Sequence, residues 1–144
     1  MKISAKGRYA LRAMLYLAMH CNESHVCVRD ISNQLNISTK YLEQILSSLR
    51  KSGLVRGVRG SQGGYRLSKK PEEYTVGLIL RQVEGDLSPI DGLNEECGSD
   101  ILEQESDTLW IYRKINDAIN SVMDGITLDD MVAWKEAQAG NYYI

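Results

Sequence analysis

The apolar and polar positions of the chain repeat at two periods, and the switch between them locates its elements. From residue 28 to residue 52 the period is helical. Val28–Leu35 reads as a short amphipathic helix, Asn36-Ile37-Ser38 as a tight turn, and Thr39–Ser52 as a second helix with Ser38 as its N-cap. In that second helix Leu42, Ile45, Leu46 and Leu49 form one stripe for burial. Then the period shortens. Leu54–Val58, a glycine turn over Arg59-Gly60-Ser61-Gln62-Gly63, and Gly64–Leu67 predict a two-stranded hairpin. A helix-turn-helix followed by a basic hairpin wing sets one helix end and one β-turn on a single surface. That shape suits a duplex groove and its flanking phosphates.

Helical spacing also marks the flanks. Ser4–Cys21 reads as a helix with Leu11, Met14, Leu15, Leu17 and Ala18 on its apolar face. Pro71 starts a connector, Thr75 caps a helix through Glu84, and Gly85 stops it. Asp86–Asp107 is an acidic loop of 22 residues, a length expected of functional or disordered segments. Thr108–Asp124 carries Leu109, Tyr112, Ile115, Ile119 and Val122 at intervals of three and four, and Ile111, Ala118 and Met123 widen that face. A stripe so broad predicts packing on a second copy, with closure of the monomer core as the alternative. Thr127 caps a shorter helix, Leu128–Ala137, leaving the tail Gly140-Asn141-Tyr142-Tyr143-Ile144. The expected fold is mainly α with a small β-hairpin. A winged helix-turn-helix domain covers residues 1–74, and the effector loop, dimerisation helix and tail cover 75–144.

Charge sharpens this division. The net charge of −2 hides 13 Lys/Arg against 3 Asp/Glu in residues 1–70, and 4 against 16 in residues 71–144. A polyanionic partner is therefore expected on the N-terminal half alone. The longest apolar stretch, Ala10–Met19, is interrupted by Arg12 and is too short to span a bilayer, so no membrane association is expected. No cleavable signal is evident, and three cysteines at uneven spacing give no disulfide framework. The expected location is the cytoplasm.

The candidate chemistry is that of DNA readout. The second helix presents Thr39, Lys40, Tyr41, Glu43 and Gln44 opposite its buried stripe. Gln44 can bond adenine bidentately, and Glu43 can accept from cytosine N4. An acidic side chain on a basic surface acts as a specificity device, because it weakens nonspecific attraction to phosphate. Lys2, Lys6, Arg8, Tyr9, Arg50 and Lys51 are assigned to the DNA backbone. Arg59, at the wing tip beside Gly60 and Ser61, is assigned to the minor groove or a phosphate. No nucleophile–base arrangement or metal-ligand spacing is present, so neither an enzyme nor a metal site is expected. His20 and His25 flank a turn and read as exposed or capping residues. Cys27, beside Arg29 at the entrance to the motif, is a candidate redox switch, with a buried inert thiol as its alternative.

These motifs resemble a known family. Lys2-Ile3-Ser4-Ala5-Lys6-Gly7-Arg8-Tyr9, Tyr41-Leu42-Glu43-Gln44 and Val58-Arg59-Gly60 followed by Gly63-Gly64-Tyr65 resemble the opening, recognition helix and wing of the Rrf-type winged-helix regulators. Leu109-Trp110 and Thr127-Leu128 match the ends of that family's long dimer helix. The resemblance implies a homodimeric bacterial transcription regulator on a pseudo-palindromic operator, its half-sites about 34–36 Å apart or multiples of that. Iron–sulfur members carry three cysteines in the loop before the long helix. Here Cys97 is alone there, so no iron–sulfur cluster is expected. Asp100, Glu103, Glu105 and Asp107 offer oxygen ligands or are simply solvated.

Within the family, Val83-Glu84-Gly85-Asp86-Leu87-Ser88-Pro89-Ile90 and the aromatic-aromatic-Ile ending, Tyr142-Tyr143-Ile144, resemble the cysteine metabolism repressors. The ending is similar to the tails that dock on cysteine synthase. A free terminal carboxylate takes the place of the substrate's carboxylate, and the Ile side chain fills an apolar pocket. Three readings stay open. The first is a repressor of cysteine and sulfur genes signalled through cysteine synthase. The second is a redox, iron–sulfur or metal sensor on the same scaffold, using Cys97 and the acidic loop. The third is an interaction module that mainly regulates cysteine synthase.

Overall fold

A computed structural model describes residues 1–94 and 103–141. The elements are α1 (Ala5–Met19), α2 (Val28–Leu35), α3 (Thr39–Lys51), β1 (Val55–Val58), β2 (Gly64–Leu67), a 3-10 turn (Pro71–Glu73), α4 (Val76–Glu84), α5 (Leu109–Gly125) and α6 (Leu128–Asn141). The architecture is the expected one, mainly helical with one antiparallel hairpin.

Helix α1 is the hub. It packs on α2, α3, α4, α6 and β2. Ser4 caps it by accepting from the Gly7 amide at 3.2 Å, so the helix starts one residue later than its periodicity suggested. Its buried face is Gly7, Ala10, Ala13, Met14, Leu17 and Ala18, while the larger Leu11 and Leu15 are only half-buried. Gly7, Ala10, Ala13 and Ala18 join Met14 and Leu17 inside because five elements crowd this one helix. A Cβ added at Gly7 would lie 2.1 Å from Glu84 Oε1.

The helix-turn-helix follows local rules closely. Asn36 ends α2 in the left-handed conformation (φ 55°, ψ 50°), which asparagine tolerates better than most side chains. Buried Ser32 donates to the Ile37 carbonyl at 2.5 Å and pins the turn. Ser38 caps α3, accepting from the Tyr41 amide at 3.1 Å. Leu42, Ile45, Leu46 and Leu49 are fully buried, each worth roughly 1.5–3 kcal/mol.

The wing pairs Val55 with Leu67, Arg56 with Arg66, Gly57 with Tyr65 and Val58 with Gly64. Val26 adds a single bridge to Tyr65, through mutual amide–carbonyl bonds of 2.8 Å, a pairing the sequence pattern did not reveal. A Cβ at Gly64 would lie 2.1 Å from the Val26 carbonyl oxygen, so only glycine allows this approach. At the base of the wing the buried Tyr74 hydroxyl donates to the Leu54 carbonyl at 2.7 Å and accepts from the Ser68 and Lys69 amides.

One hydrophobic core joins the N-terminal helices and wing to Tyr74, Ile79 and Leu128. A smaller cluster of Leu80, Leu87 and Met123 lies between α4 and α5. The start of the acidic loop is structured, since Leu87 and Ser88 are buried there. Asp86 accepts from Ser88 Oγ at 2.6 Å and from Asn94 Nδ2 at 2.8 Å, and buried Asn116 of α5 donates to Asn94 at 3.1 Å. Thr127 and Asp130 cap α6 reciprocally, at 2.9 and 3.0 Å. This helix runs to Asn141 and absorbs Gly140, which the sequence reading placed in the tail. A glycine ends a helix by turning left-handed, and Gly140 is not among the positive-φ residues. None of the described helices is long and apolar enough to cross a membrane.

Candidate nucleic-acid interface

The recognition helix is fixed from below and free above. With its stripe buried, α3 leaves Thr39, Lys40, Glu43 and Gln44 exposed, together with the cap Ser38. Tyr41 is half-buried and meets Tyr9 of α1 edge-to-face, with centroids 5.9 Å apart and rings at 88°. The Arg12 guanidinium lies over the other partner, 5.7 Å from the Tyr9 centroid. These contacts lock the first turn of α3 onto α1. Lys2, Lys6 and Arg8 stand exposed at the start of α1. There the Ser4 amide and hydroxyl both donate to Glu84 Oε1, at 2.8 and 2.7 Å.

Two contacts set the wing against the helices, one from α3 and one from the segment between α1 and α2. The Arg50 side chain crosses from α3 to β1, where its Cδ lies 3.5 Å from the position of a Cβ at Gly57. His25 donates through Nε2 to the Gln62 carbonyl near the wing tip. Arg59, Gly60 and Ser61 form the exposed tip, with Gly60 at φ 118° and its carbonyl bonded to the Gly63 amide at 3.0 Å. A Cβ at Gly63 would meet the Val58 carbonyl oxygen at 2.1 Å. Recognition helix, wing tip and α1 start are thus held by one core with their polar groups outward.

The wing also shows what the sequence reading missed. Besides Arg59 it carries Arg56 and Arg66, directly paired across the strands and both exposed, with Lys69 and Lys70 beyond them. The signal was present as two arginines flanking the turn at opposed register. It becomes legible only once the register is known.

The stripe expected for dimerisation divides between two faces. Ile119 packs on Leu80, Leu87 and Met123 inside the subunit, and Leu109 and Tyr112 are half-exposed. Ile115 and Val122 point outward, 43% and 62% exposed, in line with Ile111 and Ala118 on the same helix face. Trp110 and Trp134 are also exposed. Helix α5 buries only Asn116 and Met123 in its own subunit. It is held there by Arg81, whose guanidinium donates to Asp124 at 2.6 and 3.1 Å and to Asn120 at 2.9 Å. The Arg81 bonds hold the Asp124 carboxyl below its ordinary range. The Ser88 hydroxyl does the same for Asp86.

Cys27 is the half-buried N-cap of α2, with a free thiol and no side-chain capping bond, and Cys21 is exposed. Cys97, Tyr142, Tyr143 and Ile144 lie outside the described residues. Among the described residues no three His, Cys, Asp or Glu side chains converge as a metal site.

Comparison with known proteins agrees with this geometry. The chain is 39% identical over 142 residues to the HTH-type transcriptional regulator CymR of Bacillus subtilis (strain 168), covering 99% of this chain and 97% of that one. It is 41% identical over 138 residues to the HTH-type transcriptional regulator IscR of Aliivibrio salmonicida (strain LFI1238), covering 96% and 81%. The solved structure of CymR, the global cysteine regulator of B. subtilis, superposes with a TM-score of 0.76 at 40% identity, covering 93% of this chain and 98% of that one. The Rrf2 family model, described as an iron-dependent transcriptional regulator, matches residues 3–134, and the chain belongs to this family of helix-turn-helix transcription regulators.

Proposed function

We propose that the protein is a cytoplasmic homodimer that represses genes of cysteine and sulfur metabolism from a pseudo-palindromic operator. The observation that carries the DNA-binding part is the joint exposure of Lys40, Glu43 and Gln44 on α3, Arg59 at the wing tip and Lys2, Lys6 and Arg8 at the start of α1, all fixed by one core. The unpartnered face of Ile111, Ile115, Ala118 and Val122 supports a second copy on α5. Pairing two such surfaces by a two-fold axis sets the operator's symmetry.

The sulfur assignment is supported by the likeness to the B. subtilis cysteine regulator and by the ending Tyr142-Tyr143-Ile144. In this reading the tail docks in the active site of cysteine synthase, and O-acetylserine competes for that pocket. Linkage requires the metabolite to weaken the complex by the same factor as the complex weakens metabolite binding. The test is titration of the protein into cysteine synthase, following pyridoxal fluorescence, with a variant lacking Ile144. Saturable binding that is lost on deletion and competed by O-acetylserine is expected. No binding by the intact chain refutes the reading.

The likeness to IscR favours a second reading, a cluster or redox sensor. The cysteines do not fit a three-cysteine cluster. Cys97 is the only one between Gly85 and Thr108. Cys21 and Cys27 sit beside the wing, where Cys21 borders the cleft that Tyr65 and Arg66 line and Cys27 Cα approaches Gly64. The start of the acidic loop is instead tied to α5 through Asn94 and Asn116. We therefore propose that no cluster is bound, which an anaerobic preparation without visible absorbance supports. For a redox role at Cys27 alone, operator affinity must change on peroxide treatment.

A further inference from the structure

The wing carries an arrangement that folding alone disfavours. Arg56 and Arg66 are direct cross-strand partners. Because Val55 and Leu67, the neighbouring pair, are buried, the alternation of the strands turns both arginines to the outer face. Like charges directly opposed across a hairpin are destabilising. Among the described residues neither guanidinium has a carboxylate at salt-bridge distance. The positive charge continues around the wing base. Arg50, Arg56 and Lys69 line one groove, and Arg66, Lys69 and Lys70 line the cleft on the other side. Glu72 and Glu73 border that cleft, and the Glu73 carboxylate is occupied by the Lys70 amide at 2.9 Å.

We propose that this outer wing face is a second phosphate-binding surface, which grips duplex DNA beyond the half-site read by α3 and the wing tip. The inference rests on the DNA-binding reading and extends it. The strands run back from the tip at about 3.3 Å per residue, so the pair stands behind Arg59 on the exposed face of the hairpin. Cross-strand Cβ atoms are about 4.5–5.5 Å apart, and two guanidiniums on flexible stems then reach neighbouring phosphates of one strand. The face reads no sequence; it lengthens the footprint and raises the salt dependence.

The test uses an operator that the wild-type protein selects from random-sequence duplexes. It is trimmed to end at the wing and compared with a form extended by one helical turn on each side. The wild type is expected to bind the extended duplex about tenfold more tightly at low salt. Arg56→Gln with Arg66→Gln should bind both lengths alike, match the wild type on the short duplex, and lower the salt slope on the long one by about two per protomer. Arg56→Lys with Arg66→Lys should keep the length effect. The urea midpoint of the Gln pair should be no lower than wild type, because a repulsion has been removed. A Gln pair that keeps the length dependence overturns the proposal and leaves DNA recognition standing. A lowered midpoint assigns the arginines to the fold and also overturns it. A wild-type chain that selects no duplex overturns both this proposal and the reading beneath it.

Discussion

Replacing Tyr74 by Phe removes one oxygen and leaves the ring, which isolates what that oxygen does for the wing. The side chain is fully buried. Its hydroxyl donates to the Leu54 carbonyl at 2.7 Å and accepts from the Ser68 and Lys69 amides at 3.0 Å each. Leu54 precedes β1 and Ser68 follows β2, so a single atom ties both ends of the hairpin to the chain entering α4. In Tyr74→Phe the Ser68 amide and the Leu54 carbonyl still have each other, at 3.3 Å. The Lys69 amide has no other acceptor among the described residues, and an unsatisfied buried amide costs about 1–3 kcal/mol. Water reaches this exposed residue, which places its share near the lower end. The lost hydroxyl–carbonyl bond adds about 1 kcal/mol. The expected loss is therefore about 2–3 kcal/mol, a fall in Tm on the order of 5–10 °C for a chain of this size.

Urea titration followed by circular dichroism measures this directly, with a lower midpoint at unchanged slope. Alkaline pH supplies an independent check. Burial, the largest influence, raises the Tyr74 hydroxyl above the ordinary value of 10.0. The folded state therefore holds this proton more tightly than the unfolded state. Its contribution is full below that value and is lost as pH rises through the folded one. Wild type should lose stability above about pH 10 more steeply than Tyr74→Phe. A loss under about 0.5 kcal/mol, or identical alkaline slopes, refutes the role given to the hydroxyl.

Four further outcomes are expected. Gly64→Ala forces a Cβ onto the Val26 backbone, so stability should fall by about 1–3 kcal/mol in urea titration and operator affinity should fall with it. Gln44→Ala should cost about 1–3 kcal/mol on the operator and relax one base pair in a binding-site selection, whereas equal losses on random DNA refute base readout. Ile115→Asp with Val122→Asp should raise the dimer dissociation constant at least about tenfold in sedimentation equilibrium, without lowering the urea midpoint of the monomer. Asp86 and Asp124 have folded pKa values depressed below 3.8, so their contribution is present above that value and is lost as pH falls through the folded ones. The urea midpoint should drop below about pH 4, and Asp124→Asn should flatten that drop.

How much was legible in the sequence depended on whether a signal was local. Ser38, Thr75 and Thr127 cap the helices they announce, because a cap needs only its own next turn. The recognition stripe was readable for the same reason, since period and burial coincide on a helix with one neighbour face. Helix α1 was harder. Met14, Leu17 and Ala18 are buried as its periodicity suggested, but five packed elements also take Gly7, Ala10 and Ala13 inside in place of Leu11 and Leu15. Helix α5 has apolar residues on two faces, and only the position of α4 assigns Ile119 inward and Val122 outward. The residues assigned to DNA by motif are exposed, whereas the pairing of Arg56 with Arg66 waited on strand register.

The contacts that join these parts converge on α4, a helix of nine residues and about 13 Å. Arg81 binds Asp124 and Asn120 on α5, and Gly77 makes room, since a Cβ there would lie 2.2 Å from Asp124 Oδ1. At the far end Glu84 holds Ser4, and Gly7 makes room in the same way. Immediately after Glu84 the chain enters the acidic loop, whose first carboxylate, Asp86, is tied through Asn94 to Asn116 on α5. One short rigid element thus touches the long helix, the loop and the start of α1 with Lys2, Lys6 and Arg8. Both glycines remove the slack a side chain would introduce, so Arg81 can sit against Asp124 and Glu84 against Ser4 with no side chain between them.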